Sequence, residues 1–183
     1  MPLSKKMLRR EMREKLARLS PEEVAIASQK LREQLIFDPN ARVALFAGTA
    51  REPALLELLH QNSSVTWYLP KIIGPGQMEF VETSSIHDLR PGPFGILEPI
   101  GSAPAETLDV IVCPGLAFTR EGARLGQGGG FYDRALGRFP KARKLGVAFA
   151  CQIRPSLPCE EHDVNMDLVI TPSAESSNET QGS

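Results

Sequence analysis

The chain has 183 residues, a length typical of one globular domain with a single sizeable core. Hydrophobic residues make up 42% and charged residues 23%, which excludes wholesale disorder, and a net charge of −1 disfavours a globally basic nucleic-acid-binding protein. No apolar run approaches the ~20 residues of a membrane span, and the charged N-terminus lacks the apolar stretch of a secretory signal. Three cysteines without a C-x-x-C pair indicate neither a disulfide framework nor a zinc site, so we expect a reducing cytoplasm.

Residues 1–37 carry two helical patterns. Apolar residues recur at helical spacing among basic residues up to Leu19, which predicts an amphipathic helix. Ser20 can cap a second helix, and Glu23 completes a capping box with it. We expect this helical pair to pack on the rest of one domain, residues 1–172.

Beyond residue 40, short apolar runs alternate with helical segments. Such runs predict buried strands. The predicted strands cover 43–47, 65–69, 78–81, 110–113, 145–150 and 168–171, and the predicted helices between them cover 55–60 and 131–138. Pro70 is expected to close the second strand, residues 90–104 to form a surface loop, and the polar tail 173–183 to be disordered. The alternation predicts an α/β fold with a mostly parallel sheet flanked by helices on both faces.

The sequence RLGQGGGFYDR at 124–134 carries the most chemical information in the chain. It follows a buried strand and runs into a predicted helix, so its glycines let backbone N–H groups approach an anion at a helix N-terminus. Arg124 can add a charge-assisted contact to phosphate, and Asp133 can hold Mg²⁺. The pattern is neither a Walker A loop nor G-x-G-x-x-G. From the residues alone, a phosphate-binding loop and a flexible glycine-rich surface loop are about equally good interpretations.

This segment, together with Pro-Gly-Leu-Ala-Phe at 114–118, resembles the signature of 5-formyltetrahydrofolate cyclo-ligases, also called 5,10-methenyltetrahydrofolate synthetases. Two other blocks agree in order and spacing, Lys-Lys-Met-Leu-Arg at 5–9 and Gly-Ile-Leu-Glu-Pro at 95–99. A C-terminal block agrees through Gln152, Pro158, His162, Asp163, Asp167 and Thr171. The resemblance covers nearly the whole chain apart from the tail. It implies a parallel-sheet fold similar to those of sugar-phosphate isomerases and CoA transferases.

The resemblance also implies an activity, the ATP- and Mg²⁺-dependent cyclisation of 5-formyltetrahydrofolate to 5,10-methenyltetrahydrofolate with release of ADP and phosphate. The formyl oxygen attacks the γ-phosphate, and nitrogen 10 of the folate then attacks the activated carbon. Positioning and charge neutralisation carry such a reaction, so it needs no protein nucleophile. This agrees with the lack of a convincing Ser/His/Asp or Cys/His set in the sequence. By analogy with the family we expect a monomer.

The resemblance implies three overlapping sets of site residues. ATP is expected on Lys5, Arg9, Arg124, Leu125, Gly126, Gln127, Gly128, Gly129, Gly130, Phe131 and Tyr132. The folate is expected on Ala47, Glu52, Gln127, Gly128, Gly129, Gly130 and Phe131, and magnesium on Asp133 and Asp167. Without the resemblance, Lys5 and Arg9 would be a solvated basic face of a helix. Glu52 would be a helix-start carboxylate and Ala47 a small core residue.

Several charged residues are expected outside these sets. Lys6, Arg10, Arg13, Lys15 and Arg18 are interpreted as surface charge. Asp163 and His162 are interpreted as structural, in a loop where Asp163 can cap or accept hydrogen bonds. Lys71 is a weak candidate for a phosphate contact.

The chain departs from the family pattern at two positions of the glycine-rich segment. Many members carry a lysine at the position of Gly129 and a tyrosine at that of Phe131. A lysine there would contact the γ-phosphate directly. Because this chain lacks the lysine, we expect Arg124, Lys5, Arg9 and magnesium to contact the γ-phosphate instead, with Arg134 as a further candidate.

Two other classes of function stay open at this point. One is an enzyme of the same fold that acts on a sugar phosphate or a CoA thioester, although it would lack the Lys5/Arg9 block and the Tyr132-Asp133 match. The other is a folate-binding protein without catalytic activity, against which the intact acidic and basic residues argue.

Overall fold

A computed structural model describes residues 4–173, so the tail expected to be disordered lies outside the described residues from position 174 onward. Helix α1 (Lys5–Leu16) begins after Ser4, whose hydroxyl accepts a hydrogen bond from the Met7 N–H. Helix α2 (Pro21–Gln34) begins with the predicted capping box between Ser20 and Glu23. Both helices therefore start where the sequence pattern predicts them.

Ten strands and two further helices follow. In chain order they are β1 (Arg42–Ala44), α3 (Leu58–Gln61), β2 (Thr66–Gly74), β3 (Gln77–Glu82), β4 (Leu89–Pro91), β5 (Leu97–Pro99), β6 (Val110–Cys113), β7 (Ala117–Phe118), β8 (Arg124–Leu125), α4 (Phe131–Gly137), β9 (Arg143–Val147) and β10 (Leu168–Ile170). Six of the strands form one sheet in the order β10-β9-β6-β1-β2-β3. Its neighbours pair in parallel except β2 and β3, which confirms the predicted mostly parallel sheet.

Both faces of this sheet are covered by helices. Successive side chains of a strand point to opposite faces, and each face has its own buried cluster. Val43 and Val112 pack on the face that α1, α2 and α3 cover, whereas Ala44 and Ile111 pack on the face that α4 covers. Burial on both sides explains why these strands are continuous apolar runs rather than alternating patterns.

The second strand does not end at Pro70 as predicted. Strand β1 pairs with only the first part of β2, up to Tyr68, and the rest of β2 pairs with β3 alone. Proline lacks an N–H group but is tolerated where a strand has a partner on one side only. Strand β2 therefore continues through Pro70 to Gly74.

Residues 90–104 are also more ordered than predicted, because they contain most of an antiparallel hairpin of β4 and β5. Both strands have three residues and end in proline, so neither shows an alternating apolar pattern. The hairpin packs beside β2, where the Glu98 carboxylate accepts a hydrogen bond from the Ile72 N–H. The Lys71 ammonium donates to the Gly101 carbonyl, so its contact lies in this hairpin region and not at a phosphate loop.

The segments that follow β1 and β6 leave the sheet at the same edge. The two strands are parallel neighbours, and the carboxyl ends of neighbouring parallel strands form the usual binding edge of an α/β sheet. Helix α2 holds the segment after β1 in place, since the buried Ser28 hydroxyl accepts from the Ala54 N–H and Arg32 donates to the Ala54 carbonyl. Over residues 4–173, no helix combines the length and apolarity that a bilayer crossing requires.

Candidate active site

Residues 126–130, called here the glycine loop, connect β8 to α4. Gly128 and Gly130 have φ angles of 110° and 66°, which L-residues with side chains rarely adopt. Gly130 is also the residue before the first turn of α4. The loop lines a cleft of about 310 Å³ together with Asp133, Arg134 and His162. The loop conformation thus depends on its glycines and presents backbone to a concave surface.

Helix α1 lies against the glycine loop, although the two are more than 100 residues apart in sequence. The Arg9 Nε donates to the Gly126 carbonyl over 2.9 Å. Arg13 donates to both the carbonyl and the side-chain oxygen of Gln127, each over 3.1 Å. Arg13 is exposed, as expected of surface charge, and one turn of helix places it beside Arg9 on the face that meets the loop.

Lys5 lies in an acidic pocket at the start of α1. Its ammonium is 2.7 Å from the Asp163 carboxylate and 3.1 Å from that of Glu160. Burial by itself would lower the pKa of Lys5, but the hydrogen bonds to the two carboxylates outweigh it and the pKa is raised. Glu160, His162 and Asp163 lie close enough together to ligate a metal ion, but the Lys5 ammonium already supplies the positive charge there.

Asp163 should make stability depend on pH. Burial raises its pKa, but the Lys5 hydrogen bond and the Glu160 N–H outweigh burial, so the folded-state pKa lies below the ordinary value. Its contribution is therefore present above the unfolded pKa of about 3.9 and is lost as pH falls through the folded value. We expect the free energy of unfolding to decrease between pH 5 and pH 3 less steeply in Asp163→Asn than in the wild type, measured by urea denaturation. The exposed Asp38→Asn is the matched control, and an identical pH slope in all three proteins would contradict the pairing.

Arg124 pairs with Asp133 beneath the cleft. The Arg124 side chain is 3% exposed, and its Nη2 lies 2.9 Å from the Asp133 Oδ1. The guanidinium also donates to the Pro114 carbonyl and lies over the Tyr132 ring, 5.7 Å from its centroid. Arg124 is thus turned toward Asp133 and Tyr132, and the residues that line the cleft do not include it. A direct phosphate contact from Arg124 stays a prediction that this orientation does not support.

Asp133 keeps one carboxylate oxygen available. Its Oδ1 accepts from Arg124 and, over 3.2 Å, from the Val164 N–H. Over residues 4–173, no hydrogen bond engages its Oδ2. Because Val164 follows Asp163, this contact brings the segment of Asp163 next to the first turn of α4.

Asp167 is held by the backbone of β9. Its carboxylate accepts from the Lys144 N–H over 2.7 Å. Lys144 pairs with Ile111 in β6, and Ile111 lies three residues before Pro114. Arg124 and Asp133 instead lie beyond the carboxyl end of β6. Over residues 4–173, no hydrogen bond links Asp133 and Asp167, and their pairing at magnesium stays a prediction. The Val164 N–H bonds Asp133, while Asp163 accepts from Lys5 and from the Glu160 N–H, in agreement with the loop hydrogen bonding expected of it.

The segment after β1 brings Glu52 toward the same region. The Glu52 carboxylate accepts from the Thr49 N–H over 2.8 Å, and its segment begins just after the buried Ala47. Tyr132, in the first turn of α4, is close enough for the Glu52 charge to act on it. Burial raises the pKa of its phenol well above the ordinary value, and the Glu52 carboxylate raises it further. The Tyr132 Oη is buried and has no hydrogen-bond partner within residues 4–173.

Two residues close to the site have side chains that are buried in the core. The Leu125 side chain is 1% exposed and belongs to the core, so only its backbone can contact a ligand. Burial raises the pKa of the Cys113 thiol to about 12, so this cysteine at the end of β6 stays a neutral thiol near pH 7. Cys113 is therefore not an activated nucleophile.

Gln152 fixes the turn that follows β6. It is 1% exposed, and its Nε2 donates to the carbonyls of Gly115 and Leu116 over 2.6 and 3.3 Å. Its Oε1 accepts from the Phe149 N–H over 2.7 Å. The sequence identifies Gln152 only as one member of the C-terminal block. Its role becomes visible only when the fold brings residues 115 and 152 together.

Comparison with known proteins agrees with this architecture. The model of the 5-formyltetrahydrofolate cyclo-ligase family matches residues 2–172. The 5-formyltetrahydrofolate cyclo-ligase of Haemophilus influenzae is 34% identical over 68% of this chain and 71% of its own length. That of Escherichia coli K12 is 46% identical, but the aligned stretch covers only 38% of this chain and 40% of the E. coli protein.

A solved structure of the same kind resembles the whole chain. The NMR structure of Aquifex aeolicus 5,10-methenyltetrahydrofolate synthetase is 31% identical and superposes with a TM-score of 0.81, covering 97% of this chain and 100% of that one. The family match, the relatives and the common architecture agree with one another. The chain therefore belongs to the 5-formyltetrahydrofolate cyclo-ligase family.

Proposed function

We propose that this protein cyclises 5-formyltetrahydrofolate to 5,10-methenyltetrahydrofolate in an ATP- and magnesium-dependent reaction that releases ADP and phosphate. The observation that carries the proposal is the cleft at the carboxyl edge of the sheet. The glycine loop and Asp133 line it, and the N-terminal part of α1 contacts the loop through Arg9. Backbone N–H groups, cations and a carboxylate are the groups that a magnesium nucleotide requires.

The phosphates of ATP are proposed to bind along the glycine loop next to Lys5 and Arg9. Arg9 already contacts the loop through Nε, which leaves the rest of its guanidinium for an anion. Lys5 is held by Asp163 and Glu160, so its ammonium is positioned before the nucleotide arrives. Charge-assisted hydrogen bonds of this kind are stronger than neutral ones.

The residues present fit a magnesium ion at Asp133. Its Oδ2 carries no hydrogen bond within residues 4–173, while Oδ1 is fixed by Arg124 and Val164. Magnesium prefers oxygen ligands, and phosphate oxygens of the substrate usually supply part of its coordination. A single carboxylate from the protein is therefore sufficient. Asp163 is engaged by Lys5 through both carboxylate oxygens, and Asp167 remains a prediction of the family resemblance. When bound, magnesium would neutralise charge on the transferring phosphoryl group.

The folate is proposed to lie between the glycine loop and Glu52. A carboxylate can accept hydrogen bonds from the N–H groups of a pterin ring. Glu52 is fixed by the Thr49 N–H, and α2 anchors the segment that follows it through Ala54. Phe131 offers aromatic surface at the start of α4, next to the glycine loop.

The proposed reaction balances without any protein nucleophile. The formyl oxygen attacks the γ-phosphorus and ADP leaves, which forms a phosphorylated formyl group on nitrogen 5. Nitrogen 10 then attacks the formyl carbon, loses its proton, and inorganic phosphate leaves with the former formyl oxygen. The chain contributes orientation and positive charge, the main sources of catalysis in phosphoryl transfer.

Phosphate release by the purified protein tests this proposal. We expect release with 5-formyltetrahydrofolate, ATP and magnesium together, in step with the appearance of the methenyl product. Omitting any of the three should abolish it. Turnover of a sugar phosphate or a CoA thioester, or folate binding without turnover, would support the other two classes of function instead.

Glu52→Gln should weaken folate binding specifically. The substitution keeps the shape of the side chain but replaces an acceptor oxygen and its charge with an N–H donor. We expect the affinity for 5-formyltetrahydrofolate to fall by roughly 1–3 kcal/mol, as for an unsatisfied polar group at a ligand interface, with ATP affinity unchanged in calorimetry. Glu57→Gln, in the same segment but 64% exposed and paired with Arg32, is the control. Equal losses for folate and ATP would indicate a disturbed fold rather than a folate contact.

A further inference from the structure

The guanidinium of Arg134 packs against two turns that contain glycine. A Cβ atom added to Gly76, in the turn between β2 and β3, would lie 2.7 Å from its Nη2. A Cβ added to Gly130, in the glycine loop, would lie 2.7 Å from its Nη1. Both glycines have positive φ angles, 67° and 66°. A side chain at either glycine would collide with this guanidinium, so the position of Arg134 depends on glycine at both turns.

The hydrogen bonds of Arg134 fix its orientation but leave donors available. Its Nε donates to the Gly76 carbonyl over 2.7 Å, and its Nη2 donates to the Gly129 carbonyl. The guanidinium lies over the Phe131 ring, 5.8 Å from the centroid. Over residues 4–173, no hydrogen bond engages Nη1. Because Arg134 lines the cleft with the glycine loop, a fixed guanidinium with free N–H groups is placed at this cleft.

The other cations near the cleft contact other groups of the protein. Arg124 is 3% exposed and turned toward Asp133, and Lys5 lies between two carboxylates. Arg9 donates to the Gly126 carbonyl and packs against Gly128, but it does not line the cleft. Gly129 itself offers no side chain. Among the residues that line the cleft, the arginine is Arg134, and it contacts Gly129.

We propose that Arg134 is the residue that binds the terminal phosphate of the nucleotide, supplying the positive charge that Gly129 cannot. This inference rests on the proposed function, since it assigns a residue to the triphosphate of the same site. Its Nη1 donates to a terminal phosphate oxygen, while Gly76 and Gly129 hold the guanidinium in place. Planar guanidinium groups suit this geometry because they can hold two partners and an anion at once.

Binding of inorganic tripolyphosphate by calorimetry tests the inference without folate or catalysis. We expect Arg134→Gln to bind tripolyphosphate about tenfold more weakly and to raise the KM for MgATP by a similar factor, as for loss of one charge-assisted contact. Arg138→Gln is the matched control, because Arg138 follows one turn later at the end of α4, is 51% exposed and lies over Phe139. It should bind tripolyphosphate as the wild type does.

Arg134→Lys distinguishes a phosphate contact by this side chain from a purely structural role of its hydrogen bonds to Gly76 and Gly129. A lysine keeps the charge but cannot bridge Gly76 and Gly129, so we expect tripolyphosphate affinity within about threefold of the wild type. Equal affinity of Arg134→Gln and wild type would overturn the inference, as would an equal loss in Arg138→Gln or a loss in Arg134→Lys as large as in Arg134→Gln. If the wild type bound tripolyphosphate through Arg134 but released no phosphate with folate and MgATP, the anion site would stand and the proposed cyclo-ligase reaction would be wrong.

Discussion

Asp133→Asn should lower kcat/KM for MgATP by about a hundredfold to a thousandfold, the usual scale for removing one group that stabilises charge in a transition state. The substitution removes the carboxylate oxygen proposed to hold magnesium. It also leaves the guanidinium of Arg124, which is 3% exposed, without its charged partner. Steady-state kinetics at several magnesium concentrations measure the effect, and the deficit should shrink as magnesium rises.

Asp167→Asn is the matched control for this substitution. Asp167 accepts one hydrogen bond from the Lys144 N–H, and an asparagine oxygen can accept the same bond. We expect kcat/KM to change by less than about threefold, a small effect for a residue away from the reacting groups. A loss as large as that of Asp133→Asn, with unchanged thermal stability, would place Asp167 in the metal site after all.

Gln152→Leu should be the most destabilising of the substitutions considered for this protein. It removes a buried amide that makes three hydrogen bonds, and leaves the Phe149 N–H and the Gly115 carbonyl buried without partners. We expect the free energy of unfolding to fall by about 3 kcal/mol, since each unsatisfied buried group costs about 1–3 kcal/mol. For a domain of this size the melting temperature should fall by about 9 °C.

Gln29→Leu is the control for the loss of a glutamine amide. Gln29 is exposed on α2 and donates a hydrogen bond to Glu33 one turn later. Its replacement should change the melting temperature by no more than about 1 °C, as expected for a surface position. A similar small change in Gln152→Leu would show that the turn after β6 does not depend on this amide.

The sequence predicts the fold well where local signals are strong. The capping box of Ser20 and Glu23 and the apolar run of β6 correspond directly to the observed start of α2 and to a central strand. The hairpin of β4 and β5 could not be predicted, because three-residue strands that end in proline carry no periodic signal. Pro70 misled the prediction, because its effect depends on how far the neighbouring strand β1 extends.

The site could be predicted in its residue types but not in its contacts. The glycine loop and Asp133 are recognisable because their spacing is local. The partners of Asp163 and Asp167 are not, since Lys5 and Lys144 are distant in sequence and only the fold brings them together with these carboxylates. The hydrogen bonds of Arg13 and Arg134 could not be predicted, because their partners, Gln127 and Gly76, lie far from them in sequence.

Transfer of the formyl oxygen is the most direct measurement of the central claim, that this cleft joins ATP and folate chemistry. The protein is incubated with MgATP and 5-formyltetrahydrofolate carrying oxygen-18 in the formyl group, and the released phosphate is examined by mass spectrometry. We expect one labelled oxygen in each phosphate, with one phosphate for each methenyl product formed. Unlabelled phosphate, or methenyl product formed without phosphate, would contradict the proposed reaction.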